Sequence, residues 1–250
     1  MLLPLLLAAT APAGRPVIAL VKGEGDRQCL PDKSLCLEIP AGAEDGGGET
    51  ALVVTPADGE PVTAPLPEYY DAERRGLWPS LIALKSDDGA RRYLIGILGR
   101  QNAMYSGGGG SAARLHLYEF SATPGATGLG QEVLDVVWDG SLMIRACFSE
   151  QDMKDRLEAC HDEYDFNATL TAAQDDGSAF PTLTYRAVAT TFPRTVRRSQ
   201  DNSAGKLKRA DLVRTEDPAC TYDRVLRYNP ATSRYEMDRP APECSDYTTP

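Results

Sequence analysis

Six cysteines fall into three sequential pairs, Cys29 with Cys36, Cys147 with Cys160 and Cys220 with Cys244, and no other feature narrows the possible folds so far. Short loops close at lower entropic cost than long ones, so pairing between sequence neighbours is the expected connectivity. Whether the sulfurs bridge at all depends on compartment. The chain opens with MLLPLLLAATAPA, an apolar run from Leu2 to Ala9 leading into the small-x-small pattern Ala11-Pro12-Ala13. Residues 1–13 read as a secretory signal peptide. The run is shorter than the roughly 20 apolar residues that a bilayer-spanning helix needs, and no later run approaches that length. In an exported chain the six cysteines are expected as three disulfides. A zinc site is not expected, because no two cysteines have the close spacing of zinc ligands and only His116 and His161 could join them.

Residues 14–250 then read as a single secreted β domain, with a loop-rich part over 14–70 and a hairpin-rich body over 71–250. The 22 glycines and 18 prolines punctuate the chain too often for long helices, while 42% hydrophobic residues suffice for a core. "SLIALKSDDGARRYLIGILG" is two apolar runs around an Asp-Asp-Gly turn, a hairpin signal. "AMYSGGGGSAARLHLYEF" reads as two strands around a flexible tip, Gly107 to Gly110. In the second of them Leu115 and Leu117 alternate with Arg114, His116 and Tyr118. "VLDVVWDGSLMIRACF" carries Asp139-Gly140, the pair favoured in a type I′ hairpin turn. "FNATLTAAQDDGSAFPTLTYRAVATTF" and "RVLRYNPATSRYEM" add two more hairpins. In the second, "RYNPATSRYEM" resembles the aromatic-turn-aromatic hairpins of many secreted β proteins, which implies a hairpin and no function. The expected fold is mainly β, an antiparallel hairpin-rich sandwich or barrel with one short α-helix, stabilised by disulfides. That helix is "SEQDMKDRLEA", with Ser149 as N-cap and acids in its first turn. Met153 and Leu157, four apart, share a face that is expected to pack on the sheet.

Motifs that carry catalysis are missing from the string. There is no G-x-S-x-G elbow, no P-loop and no dinucleotide fingerprint, and no cofactor is implied. The densest polar cluster, "CHDEYDF", holds His161, Asp162, Glu163 and Asp165, but neighbours on a strand point to opposite faces. His161 is expected to be exposed and dispensable for folding. "EDGGGE" and "QDDG" could offer carboxylates to calcium without the spacing of an EF-hand, so no metal site is assigned. Asn167-Ala168-Thr169 matches a glycosylation sequon.

Charge is unevenly spread. From Phe192 to Arg214 there are seven cations, Arg194, Arg197, Arg198, Lys206, Lys208, Arg209 and Arg214, against the two acids Asp201 and Asp211, giving +5. The net charge of the chain is −10, so the remainder carries −15. Arginine forks suit phosphate and carboxylate, which makes Arg194, Arg197, Arg198, Lys206, Lys208 and Arg209 the candidate ligand-binding residues, centred on Arg197 and Arg198. The competing expectation is that these cations neutralise the protein's own acidic surface. Export and overall acidity argue against nucleic acid. The function expected is a periplasmic or secreted binding or interaction protein of the cell envelope with an anionic ligand. The alternatives are an envelope hydrolase whose carboxylates come together from distant strands, and a purely structural envelope protein.

Overall fold

In the computed structural model, residues 17–40, 51–57, 59–66, 74–86, 91–122, 128–173 and 178–250 are described. The expected signal peptide, the Asp87-Asp88-Gly89 turn and the two carboxylate loops at 44–49 and 174–177 lie outside them. Fifteen strands follow in order: β1 (Val17–Ala19), β2 (Val21–Lys22), β3 (Gln28–Cys29), β4 (Leu35–Glu38), β5 (Ala51–Pro56), β6 (Val62–Pro65), β7 (Arg74–Leu84), β8 (Arg92–Tyr105), β9 (Gly108–Ser121), β10 (Gly128–Arg145), β11 (His161–Ala172), β12 (Leu183–Phe192), β13 (Thr215–Glu216), β14 (Tyr222–Asn229) and β15 (Arg234–Met237). The described residues also form two short helices, α1 (Glu150–Asp155) and α2 (Ser245–Thr248). Strands β2 to β6 make a five-stranded antiparallel sheet, so the first seventy residues hold more regular structure than their Gly- and Pro-rich composition suggests. The other ten strands make one long sheet ordered β1-β7-β8-β9-β10-β11-β12-β14-β15, with β13 on β12.

Burial explains the two kinds of apolar pattern. Strands β7 to β9 are covered on both faces. Leu81, Ile95, Ile97, Tyr118 and Phe120 meet Leu37, Leu52 and Val54 of the small sheet. Trp78, Ile82, Leu94, Leu115 and Leu117, pointing the other way, meet Val136, Leu142, Tyr164, Phe166 and Tyr185. A strand buried twice reads as a continuous apolar run, which is why "SLIAL" and "YLIGIL" lack alternation. Strands β11 and β12 are buried once and alternate: Asp162, Tyr164, Phe166, Ala168 and Leu170 turn inward, as do Leu183, Tyr185, Ala187 and Ala189.

The result is sandwich-like rather than a closed barrel. Register shifts between Leu129 and Glu132, between Glu132 and Leu134, and between Val137 and Asp139 mark bulges in β10, and bulges bend and twist a sheet. The bent sheet curls until Arg234 of β15 reaches Glu132 of β10 at 2.7 Å, and the Gln131 amide donates to the Ser233 carbonyl at 3.1 Å.

All three disulfides form between sequence neighbours: Cys29–Cys36, Cys147–Cys160 and Cys220–Cys244. Two of the expected turns are built differently. Asp139-Gly140 is not a turn, since β10 runs unbroken through it and pairs with β9 and β11 on either side. The glycine tip is also shorter than expected: Gly107 at φ 90° makes the turn with Ser106, while Gly108 to Gly110 belong to β9. No helix among the described residues is long and apolar enough to cross a membrane.

Candidate ligand-binding groove

The cationic segment leaves β12 and returns as β13, crossing the end of the long sheet. Most of its charge is used inside the molecule. Arg194 pairs with Asp211 at 3.4 Å. Arg197 donates to its neighbour's carbonyl, Val196, at 2.7 Å, and its backbone N–H reaches Asn202. Arg198 donates to the carbonyls of Thr249 at 2.7 Å and Ser245 at 3.1 Å, capping the end of α2. Lys206 pairs with Asp155 at 3.3 Å, and Arg214 bridges Glu163 and Asp165. Lys208 and Arg209 remain exposed, and among the described residues no ion pair reaches them. The six candidates therefore do not converge: four are engaged within the fold, and two adjacent ones face solvent at the start of a 3-10 turn, Arg209–Asp211.

Against this turn stands α1. Its start is set locally: Ser149 Oγ accepts from the Asp152 N–H at 3.1 Å, and the Asp152 carboxylate accepts from Ser149 N–H at 2.9 Å and Phe148 N–H at 2.8 Å, a reciprocal cap. These hydrogen bonds hold the Asp152 carboxyl below the usual carboxylate range. The expected core face is not in the core, since Met153 is 46% exposed and Leu157 39%. Phe148, just before the cap, is exposed as well, its ring facing the Arg145 guanidinium at 5.2 Å. What anchors the element is Arg156, 1% exposed, which pairs with buried Asp162 and donates to the carbonyls of Ala159 and Asn202. Burial pushes the Asp162 carboxyl up against the pull of that guanidinium. Arg156 thus ties the disulfide-closed loop 147–160 to the cationic segment. The Leu207 N–H, donating to the Asp155 carbonyl at 2.9 Å, adds a second tie.

Between these two walls lies an open groove of about 710 Å³. Its floor is Met153, Leu157 and Leu212, and its rim carries Lys154 and Arg209 as well as Glu150 and Glu158. Leu157 and Glu158 both have left-handed backbones, φ 52° and 68°, a conformation that bulky residues rarely adopt. Among the described residues the lining offers apolar contact and charge of both signs.

The remaining polar clusters are structural in geometry. Within "CHDEYDF" the strand sends side chains both ways: His161 is exposed, Asp162 is buried on Arg156, and Glu163 and Asp165 share Arg214 on the outer face. A second network joins β9, β10 and β15. His116 Nδ1 lies 3.1 Å from Glu132 Oε2, Tyr118 OH donates to the same oxygen at 3.0 Å, Arg234 holds Oε1 at 2.7 Å, and Arg114 holds Asp135 at 2.7 Å. Burial would push the Glu132 carboxyl up, but hydrogen bonds from His116, Arg234 and Tyr118 outweigh it and hold the group at about 2. Sequence reasoning weighed His116 only as a metal ligand. The alternation of His116 and Tyr118 on one face was legible, but the carboxylate facing them arrives through the bulges of β10. No group of three or more His, Cys, Asp or Glu able to hold a metal occurs among the described residues.

Comparison with models of protein families, with curated proteins and with solved structures finds no match to this chain.

Proposed function

We propose that the chain is an exported binding protein of the cell envelope, periplasmic or secreted, that holds an anionic ligand at the groove beside α1. The observation that carries this reading is Arg209, an exposed cation without an ion pair among the described residues, lining the same groove as the exposed apolar side chains of Met153 and Leu157. Contiguous exposed apolar surface with a polar rim is the usual mark of an interaction site. The apolar leader and three disulfides support an oxidising destination. The hydrolase reading has less support, because the carboxylates brought near one another are engaged by arginines: Glu163 and Asp165 by Arg214, and Glu132 and Asp135, which flank His116, by Arg234 and Arg114.

Binding to fractionated envelope extract, measured at low and high salt, tests the reading. Exposed charge contacts are screened by salt, so binding should weaken as salt rises. Arg209→Glu should weaken it at low salt with the melting temperature unchanged. If Arg209→Glu binds like wild type at every salt concentration, the groove is not the site.

A further inference from the structure

We infer that the groove takes a single-chain anionic amphiphile, with its carboxylate or phosphate head on Arg209 and its aliphatic tail along Leu212, Met153 and Leu157. This rests on the binding reading above and adds the chemistry of the ligand. Three observations converge on it. The floor is aliphatic and open: Met153 and Leu157 expose 46% and 39% of their surface, and a thioether adapts to a flexible chain. Leucine is held outward at φ 52° where a helix end would ordinarily place glycine, so the fold keeps an apolar side chain in the groove against backbone preference. Such outliers gather at ligand sites.

Charge sets the orientation. Of the seven cations between Phe192 and Arg214, five are engaged with carboxylates or backbone carbonyls. Arg209 and, one residue before it, exposed Lys208 are the other two, with no ion pair among the described residues. The acids of the groove, Glu150 and Glu158, stand on the α1 side, and Glu150 is four residues before Lys154, the spacing at which the two neighbour each other on a helix. An anionic head is therefore favoured at the Arg209 wall. The tail then runs toward Met153 and Leu157. A volume of about 710 Å³ is of the size that small ligands occupy.

The test is calorimetric titration of the oxidised protein with octanoate, decanoate and dodecanoate below their micelle concentrations, with octyl glucoside as a neutral amphiphile and inorganic phosphate as a tail-less anion. Burial of aliphatic surface should raise affinity by about two- to fourfold per added methylene. Arg209→Glu should lower dodecanoate affinity by roughly tenfold or more. Leu157→Asn, a residue that tolerates a left-handed backbone, should flatten the chain-length dependence while the fold persists by circular dichroism. If octyl glucoside binds as well as octanoate and Arg209→Glu changes nothing, the groove binds but the anionic assignment is overturned. If phosphate binds through Arg209 and chain length has no effect, the amphiphile is overturned while the anion site stands. If no probe binds and the salt-sensitive binding to envelope extract still depends on Arg209, the ligand is of another class. If both are absent, the binding reading falls with it.

Discussion

Gly140 sits in the middle of the longest strand, where its sequence partner Asp139 suggests a turn. Its φ is not in the left-handed region, so conformational freedom is not what calls for glycine here. Close approach is. A Cβ at Gly140 would lie 2.1 Å from the Tyr247 carbonyl oxygen, and that oxygen cannot retreat easily. The segment carrying it is fixed by Cys220–Cys244, by Tyr247 OH donating to Asp217 at 2.8 Å, and by Arg198 on the carbonyls at either end of α2. Asp139, freed from any turn, makes a two-point ion pair with Arg100 at 2.7 Å on each contact. Gly140→Ala should cost about 1–3 kcal/mol through overpacking, read from the midpoint of urea unfolding. An unchanged midpoint would mean that α2 yields to a methyl group. The same residue-scale view answers the charge asymmetry for Arg198. Its guanidinium does the work of a helix cap, so Arg198→Ala should loosen α2 rather than abolish ligand binding.

At the scale of the element, α1 is a six-residue helix whose apolar side chains contribute nothing to the core. It is held by one disulfide and one buried ion pair. Arg156 and Asp162 are each nearly inaccessible, and removing one member of such a pair strands the other charge in low dielectric. Arg156→Met should therefore destabilise by about 3–5 kcal/mol, and adding Asp162→Asn should restore part of that loss, because the stranded charge is gone. Denaturant unfolding of the single and double variants checks this. A double variant no more stable than the single one would show that the backbone hydrogen bonds of Arg156 to Ala159 and Asn202, not the charge pair, carry the effect. The segment leading into the 3-10 turn that bears Arg209 is tied to the disulfide-closed loop 147–160 twice, at Asn202 by Arg156 and at Leu207 by the Asp155 carbonyl.

The whole molecule is a long sheet curled around an aromatic and aliphatic core, with a small sheet covering the outside of its first turn. Glu132 ties the β15 end of the curl back to the middle of the sheet, receiving Arg234 from β15 and facing His116 and Tyr118 on β9. Its folded value of about 2 lies below its ordinary value of 4.5, so the ionised form binds its partners and contributes stability above the ordinary value. That contribution is lost as pH falls from 4.5 toward 2. Glu132→Gln should be less stable at neutral pH by about 1–2 kcal/mol once solvent screening is allowed for, and its stability should fall less steeply than wild type across that acid window. Parallel curves for the two proteins would remove Glu132 from the closure of the curl.

How much of this was legible follows from the range of each interaction. The cap at Ser149, the alternation of β11 and β12 and the hairpin of β14 with β15 are set by residues close in sequence, and the disulfides join nearest cysteines 7, 13 and 24 positions apart, so the sequence alone determined them. The double burial of β7 to β9 was visible only as runs without alternation, whose meaning depends on a second sheet. Three outcomes were decided by tertiary contact alone. Gly140 is required by a carbonyl more than a hundred residues away in sequence. Met153 and Leu157 stay at the surface because Arg156, the residue between them, found a buried carboxylate. The cations of the 194–214 segment sort into internal ties and one exposed pair, since a charge is free or engaged according to what folding brings within hydrogen-bonding distance, and no local pattern records that distance.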